Sequence, residues 1–198
     1  MKIVVTGATG YLGAVAADAL ATRGHHVLGL ARSERSANTL RERGIEPVLG
    51  DFGDPASLAN AVHQSRPDAV VSTASVGGAS GDQAAFARDG EAVRAMREAL
   101  TDHGGTLVFT SGSAVFGVFN GGEATDTVYA EDARLPLPAS VFAPASAGVH
   151  PLLAAGFEGA MAARVETERA VLAEGDMRGV VVRPGLVYGR GAIPTSGP

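Results

Sequence analysis

The sequence predicts an α/β domain built on a doubly wound parallel sheet, and three observations predict it. Short β-branched runs alternate with segments of helical period along most of the chain, as in successive βαβ units. The first of these runs, "KIVVT", is nearly continuous in apolar residues and bounded by glycine, as a strand covered on both faces must be. The composition agrees. Hydrophobic residues make up 45% of the 198 and glycine 27 of them, which suits one globular domain with a substantial core and carries no disorder signature.

The elements follow in order. After strand one, Leu12, Val15, Ala16, Ala19 and Leu20 recur at helical spacing as the apolar face of a first helix, which Gly24 closes. "HVLGLA" is a second strand and "SANTLRERG" a second helix ending at Gly44. "EPVLG" is a third strand, and Asp54 with Pro55 forms the N-cap and first-turn pair of a helix through "PASLANAVHQ". "DAVVSTA" is a fourth strand, followed by a long helix with Phe86, Val93, Met96 and Leu100 on one face. "GTLVFTS" is a fifth strand and "RGVVVRPG" a sixth, with the helix "FEGAMAARVETERAVL" (157–172) before the latter. Residues 117–156 hold many Pro, Gly, Ala and Ser without a sustained period. They are expected to form an irregular active-site or lid segment, or else a disordered surface loop, within a single domain spanning 1–198.

Several functions are excluded. The net charge of −5 gives no basic footprint for nucleic acid. The absence of cysteine removes disulfides, thiolate nucleophiles and cysteine metal sites together. The five histidines show no ligand spacing, and the neighbours His25 and His26 would point to opposite sides of a strand, so no metal site is expected. There is no G-x-S-x-G elbow and no P-loop. The chain opens on a strand with no leader pattern and has no apolar run of roughly 18 residues, so a soluble, cytoplasmic protein outside the membrane is expected. Lys2 is the only lysine, which rules out lysine-dependent chemistry anywhere beyond it.

"TGATGYLG" places Gly7, Gly10 and Gly13 directly after strand one and into helix one. One glycine permits the tight turn, another lets the backbone approach a pyrophosphate, and a third lets helix and strand pack closely. The open N–H groups and dipole at the helix N-terminus then receive the phosphates. A dinucleotide site is therefore expected at this turn.

The G-x-x-G-x-x-G form, with "GDFGD" after strand three, "FTSGSAVFG" after strand five and "VVVRPGLVYGRG" at strand six, resembles the short-chain dehydrogenases/reductases. It is most similar to their extended and atypical branch, the NAD(P)-dependent epimerase/dehydratase family, over nearly the whole chain. The resemblance implies a Rossmann fold with strand order 3-2-1-4-5-6 and a nicotinamide cofactor at the switch point. From the turn it implies cofactor contacts by Gly7, Thr9, Gly10, Tyr11, Leu12 and Gly13. Asp51 and Phe52 would border the adenine, Thr73, Ala74 and Ser75 the adenosine ribose and diphosphate, and Pro184 would add a contact after strand six.

The end of strand two bears on the choice of nucleotide, because an acid there accepts from the ribose 2′-OH of NAD. Here Ala31 holds that place and Arg32 follows, with Ser33 and Arg35 near enough to assist. A guanidinium suits a 2′-phosphate, so NADP is expected in preference to NAD; otherwise Arg32 is simply a solvated surface arginine.

Family enzymes use a Ser or Thr at the end of strand five and a Tyr-x-x-x-Lys pair on the next helix, often with an Asn on the helix before. In "TSGSAVFG" the strictest register puts Gly112 at the serine; one residue of slack selects Ser113, with Ser111 second, and either serine could instead only bond local backbone. "ARVETERAVL" resembles the family's helix with Arg164 at the lysine and Ala160 at the tyrosine, and Asp89 falls at the asparagine. Arginine can anchor the nicotinamide ribose but stays protonated and cannot relay a proton, and alanine does none of the tyrosine's work. Tyr129, in the irregular segment, is the one candidate replacement among the tyrosines, since Tyr11 belongs to the turn and Tyr188 to the "RPGLVYG" stretch; His150 is a further donor candidate.

Relatives of this type usually continue past strand six into a substrate-binding lobe. The sequence stops at "RGAIPTSGP", so either a truncated chain or a minimal member is expected, with exposed faces that favour self-association. Two functions follow from the resemblance. One is an NADP(H)-dependent oxidoreductase or epimerase acting on an unidentified small molecule, assisted by Ser113 or Ser111. The other is a non-catalytic NADP(H)-binding module that senses redox state or regulates a partner.

Overall fold

Six short parallel strands carry the chain: β1 (Lys2–Thr6), β2 (His26–Ala31), β3 (Glu46–Leu49), β4 (Ala69–Ser72), β5 (Thr106–Thr110) and β6 (Arg178–Val182). Their order in the sheet is 3-2-1-4-5-6, as predicted. The computed structural model of the chain describes residues 1–76, 83–116, 130–131, 135, 151–185, 187 and 189, with only the backbone for 151–158. Helices α1 (Tyr11–Thr22), α2 (Glu34–Glu42), α3 (Pro55–Ser65), α4 (Gln83–Thr101) and α5 (Pro151–Leu172) connect the strands. Because β1 pairs with both β2 and β4, the strand order reverses beside it and opens a crevice at the C-terminal strand ends.

Alternation along β1 sends Val4 to one face of the sheet and Ile3 and Val5 to the other. On the first face Val4, Val70 and Leu107 pack against Leu58 and Val62 of α3, Val93 and Met96 of α4, and Val171 of α5, all without solvent exposure. Each such aliphatic side chain stabilises the fold by about 1.5–3 kcal/mol relative to exposure. On the second face Ile3, Val5 and Val27 meet Ala17 of α1 and Ala37 and Leu40 of α2. There the paired residues Val71, Val108 and Val180 remain only partly buried, because α1 and α2 cover the other half of the sheet.

Local signals set several boundaries. Asp54 caps α3, its Oδ1 accepting the N–H groups of Ala56 at 3.0 Å and Ser57 at 3.2 Å. Lys2, the sole lysine, donates through Nζ to the Ser65 carbonyl at 2.9 Å and ties β1 to the end of α3.

Two expectations are corrected. The face predicted for α1 is not the buried one: Gly13 and Ala17 are buried, whereas Leu12 is 37% and Val15 63% exposed. The helix is pulled onto the sheet along its smallest residues, which turns its larger aliphatics outward. The helix predicted from residue 157 begins already at Pro151, so the irregular segment ends earlier than expected. Proline is well placed there, since a first-turn N–H has no intrahelical acceptor.

Candidate functional site

At the end of β1 the backbone turns through Gly7 with φ +70°. A Cβ on Gly7 would stand 2.8 Å from Thr73 Oγ1 and 3.0 Å from Ala74 N, so the segment just after β4 passes too close for any side chain. A Cβ on Gly13 would lie 2.2 Å from the Gly7 carbonyl oxygen, which gives this third glycine the close-packing role. Gly10 donates its N–H to Gly7 O at 2.8 Å and stands at the N-cap of α1. No side chain caps this helix and no acid occupies its first turn, so its positive end is left for an anion. The ends of β1 and β4 are laced together beneath the turn. Thr6 Oγ1 accepts from the N–H groups of Thr73 and Ala74, both at 3.2 Å, and Thr73 Oγ1 donates to Thr6 O at 2.6 Å.

Above these strand ends lies a cavity of about 480 Å³. Of the predicted contacts, it brings together Gly7, Thr9, Arg32, Asp51, Phe52, Ala74 and Ser75, and adds Leu30, Ser36, Gly50, Gly53 and Val76. Arg32 is exposed on its rim and has no ion pair or hydrogen bond among the described residues. Asp51 accepts the Gly53 N–H at 2.9 Å through Oδ1.

Other predicted contacts are placed differently. The Thr73 hydroxyl is turned under Gly7, away from the cavity. Ser33 is the N-cap of α2, its hydroxyl accepting the Ser36 N–H at 3.3 Å in a reciprocal capping box, and Ser36 faces the cavity instead. The Pro184 carbonyl accepts the Ser113 N–H at 2.9 Å, and Tyr11 lies with its hydroxyl against Gly189. Gly10, Leu12 and Gly13 also stand outside the lining.

Sequence reasoning missed Arg43. From the end of α2 its guanidinium donates to Ala8 O at 2.9 Å, Ala14 O at 2.8 Å and Asp18 Oδ1 at 2.7 Å, clamping the glycine turn to α1. Nothing in the local sequence distinguishes it from the surface arginines nearby.

Beyond β5 the two serines differ. Ser111 is 6% exposed, its N–H donates to Val182 O at 2.8 Å, and its buried Oγ has no partner among the described residues. Ser113 opens the 3-10 turn Ser113–Phe116 and is partly exposed. A Cβ on Gly112, between them, would meet nothing nearer than Pro184 O at 4.0 Å. Tyr129, His150 and Tyr188 lie outside the described residues.

Ala160 is fully buried among Phe86, Val115, Met161 and Val165. One turn further along α5, Arg164 lies 3.7 Å from Asp89 Oδ2, donates to the Thr110 carbonyl at 3.2 Å and sits within 5.4 Å of the ring centres of Phe86 and Phe109. Burial lowers the Arg164 pKa from its ordinary value, while the carboxylates of Asp89 and then Glu168 oppose that fall. Glu168 in turn receives Arg183 of the β6 end at 2.7 Å, with 2% of the carboxylate side chain exposed. Asp89, Arg164, Glu168 and Arg183 thus form a row of alternating charges across α4, α5 and β6.

A parallel sheet in this order, with a glycine turn leading into an uncapped helix at the switch point, defines a Rossmann-like nucleotide-binding domain. The chain belongs to the NAD dependent epimerase/dehydratase family, whose model matches residues 3–143. It is 30% identical to a 2-alkyl-3-oxoalkanoate reductase of Stenotrophomonas maltophilia, over 96% of this chain and 52% of that protein. To a dTDP-4-dehydrorhamnose reductase of Burkholderia thailandensis it is 38% identical, over 59% of this chain and 35% of that one. The chain therefore spans about half, or less, of the length of these curated relatives. Among solved structures, a short-chain dehydrogenase/reductase superfamily protein of Agrobacterium tumefaciens with bound NAD shares the fold, with a TM-score of 0.61 at 24% identity, over 92% of this chain and 48% of that one. A reductase studied by structure-guided engineering gives a TM-score of 0.72 at 18% identity, over 96% of this chain and 59% of that one. Among the described residues no helix is long and apolar enough to cross a membrane, and no cluster of metal-ligating side chains occurs.

Proposed function

We propose that this chain binds NADP(H) in the cavity above β1, β2 and β4 and serves an oxidoreductase or epimerase acting on a small molecule. The observation that carries the nucleotide preference is Arg32, exposed on the cavity rim next to Ala31 and unpaired among the described residues. A 2′-phosphate would supply its missing partner, whereas a free ribose 2′-OH would not. The diphosphate would lie over Gly7 and Gly10 at the open end of α1, with the adenine beside Asp51 and Phe52.

Carbonyl reduction is the reaction class supported by the named activities of the two reductases above. When bound, the nicotinamide supplies or accepts a hydride. The chain's contribution at the substrate would be a hydroxyl from Ser111 or Ser113, with Tyr129 as the candidate proton donor. Ser111 is favoured by its buried Oγ, which lacks a partner among the described residues. A second reading, an NADP(H)-binding module without turnover, draws support from Ala160, whose apolar burial leaves no hydroxyl at the tyrosine's place. Self-association is also proposed, through the partly buried stripe of Val71, Val108 and Val180.

Calorimetric titration with NADPH and NADH tests the main proposal. Wild type should bind NADPH more tightly, and Arg32→Ala should lose about tenfold for NADPH while hardly changing NADH. Equal affinities for the two nucleotides in wild type would remove the NADP assignment. Oxidation of NADPH by any member of a panel of 3-oxoacyl and aldehyde substrates separates the enzyme from the silent module.

A further inference from the structure

We infer that Arg164 is a positioning residue that shapes the wall of the cofactor cavity through Asp89, and not the group that holds the nicotinamide ribose. This rests on the nucleotide-binding reading of the cavity given above. The guanidinium is turned inward: it lies 3.7 Å from Asp89 Oδ2, donates to Thr110 O at 3.2 Å, stands beside the rings of Phe86 and Phe109, and is 15% exposed. Asp89 passes the interaction on. Its Oδ2 accepts the Ser75 hydroxyl at 2.5 Å and its Oδ1 accepts the Val76 N–H at 2.6 Å. Ser75 and Val76 are both part of the cavity wall. A path of direct contacts therefore runs from α5 through α4 to the loop after β4.

The electrostatics explain why the path matters. Asp89 is 3% exposed, and a carboxylate at that depth is strongly unfavourable without a counter-charge. Deprived of Arg164 it would be a buried charge without a counter-charge, and water would have to reach it. The Ser75–Val76 wall would then have to shift. An asparagine at position 89 avoids this: its oxygen still accepts the Val76 N–H and its amide group can donate to Ser75 Oγ, with no charge to balance. Asp89 and Arg164 thus form a matched pair, in which neither charge is tolerable without the other.

The test uses NADPH and 2′,5′-ADP, the latter being the adenosine half of the cofactor without nicotinamide. Titrations of the full chain compare wild type, Arg164→Met and the double variant Asp89→Asn/Arg164→Met, with thermal melting as the check on folding. The inference expects Arg164→Met to weaken both nucleotides by a common factor of about ten, and the double variant to return both to within about threefold of wild type. A guanidinium bonded to the nicotinamide ribose gives another pattern: NADPH alone weakens, 2′,5′-ADP is unaffected, and Asp89→Asn restores nothing. That pattern overturns the inference, as do unchanged affinities in Arg164→Met or weak binding of both nucleotides that persists in the double variant. Should Arg164→Met not fold, the double variant carries the test, since it buries neither charge alone; near-wild-type affinity for both nucleotides supports the inference, and weakened NADPH with unchanged 2′,5′-ADP overturns it. Wild type that binds neither nucleotide fails at an earlier point, removing the cavity reading and the inference together.

Discussion

The glycine turn after β1 and the middle of α5 both use the smallest side chains, for opposite ends. At Gly7 and Gly13 a Cβ would strike backbone or Thr73, and the missing side chains let three segments converge while the turn stays bare toward the cavity. At Ala160 the small side chain is packed into a core: it is fully buried in the cluster of Phe86 and Val115. A missing side chain is thus a feature of binding in one region and of packing in the other. What decides between them is the neighbour that takes up the space.

Four substitutions would break or sharpen that contrast. The largest effect on stability is expected on the α5 side, from Glu168→Ala. It leaves the mostly buried Arg183 unpaired and should lower the unfolding free energy by about 3–5 kcal/mol in a denaturant titration. Nucleotide affinity of the folded fraction should be unchanged, because neither residue lines the cavity or bonds Asp89, Ser75 or Val76 among the described residues. Gly13→Ala should destabilise less, by about 1–3 kcal/mol, yet abolish NADPH binding, since α1 must be displaced from the Gly7 carbonyl. Retained binding in that variant would mean that the close packing is not needed for the site. Ala160→Gly should cost about 1 kcal/mol of helix stability, visible as a lower melting midpoint, and leave titrations with NADPH as in wild type. The smallest effect belongs to Gly112→Ser. Its Cβ has open space to 4.0 Å, so stability should stay within about 0.5 kcal/mol of wild type.

Much of this was legible because it is local. The apolar run of β1, the Asp54–Pro55 start of α3 and the glycine spacing of the turn each depend on a few consecutive residues, and each is found where the pattern placed it. Arg32 and Asp51 reach the cavity for a related reason: Arg32 follows directly on β2 and Asp51 lies two residues past β3, at strand ends that point to the crevice. The face of α1 was misread because helical periodicity ranks side chains by hydrophobicity. The turn instead brings the helix in along Gly13, leaving Leu12 and Val15 outside. Ser33 was expected at the ligand, and in the structure it is the N-cap of α2, a position that serine favours.

The sequence by itself determined the strand and helix alternation, the glycine spacing of the turn after β1 and the Asp54–Pro55 start of α3. These follow from residue types at fixed short spacings, whose physics is that of backbone conformation and local hydrogen bonding. Only the tertiary structure decided where the arginines point. Arg43 reaches a turn 35 positions away, and Arg164 a carbonyl 54 positions away, because the fold delivers acceptors there that no local pattern announces. Long, flexible cationic side chains take their direction from the nearest buried acceptor or carboxylate, and that partner is set by which strands and helices become neighbours.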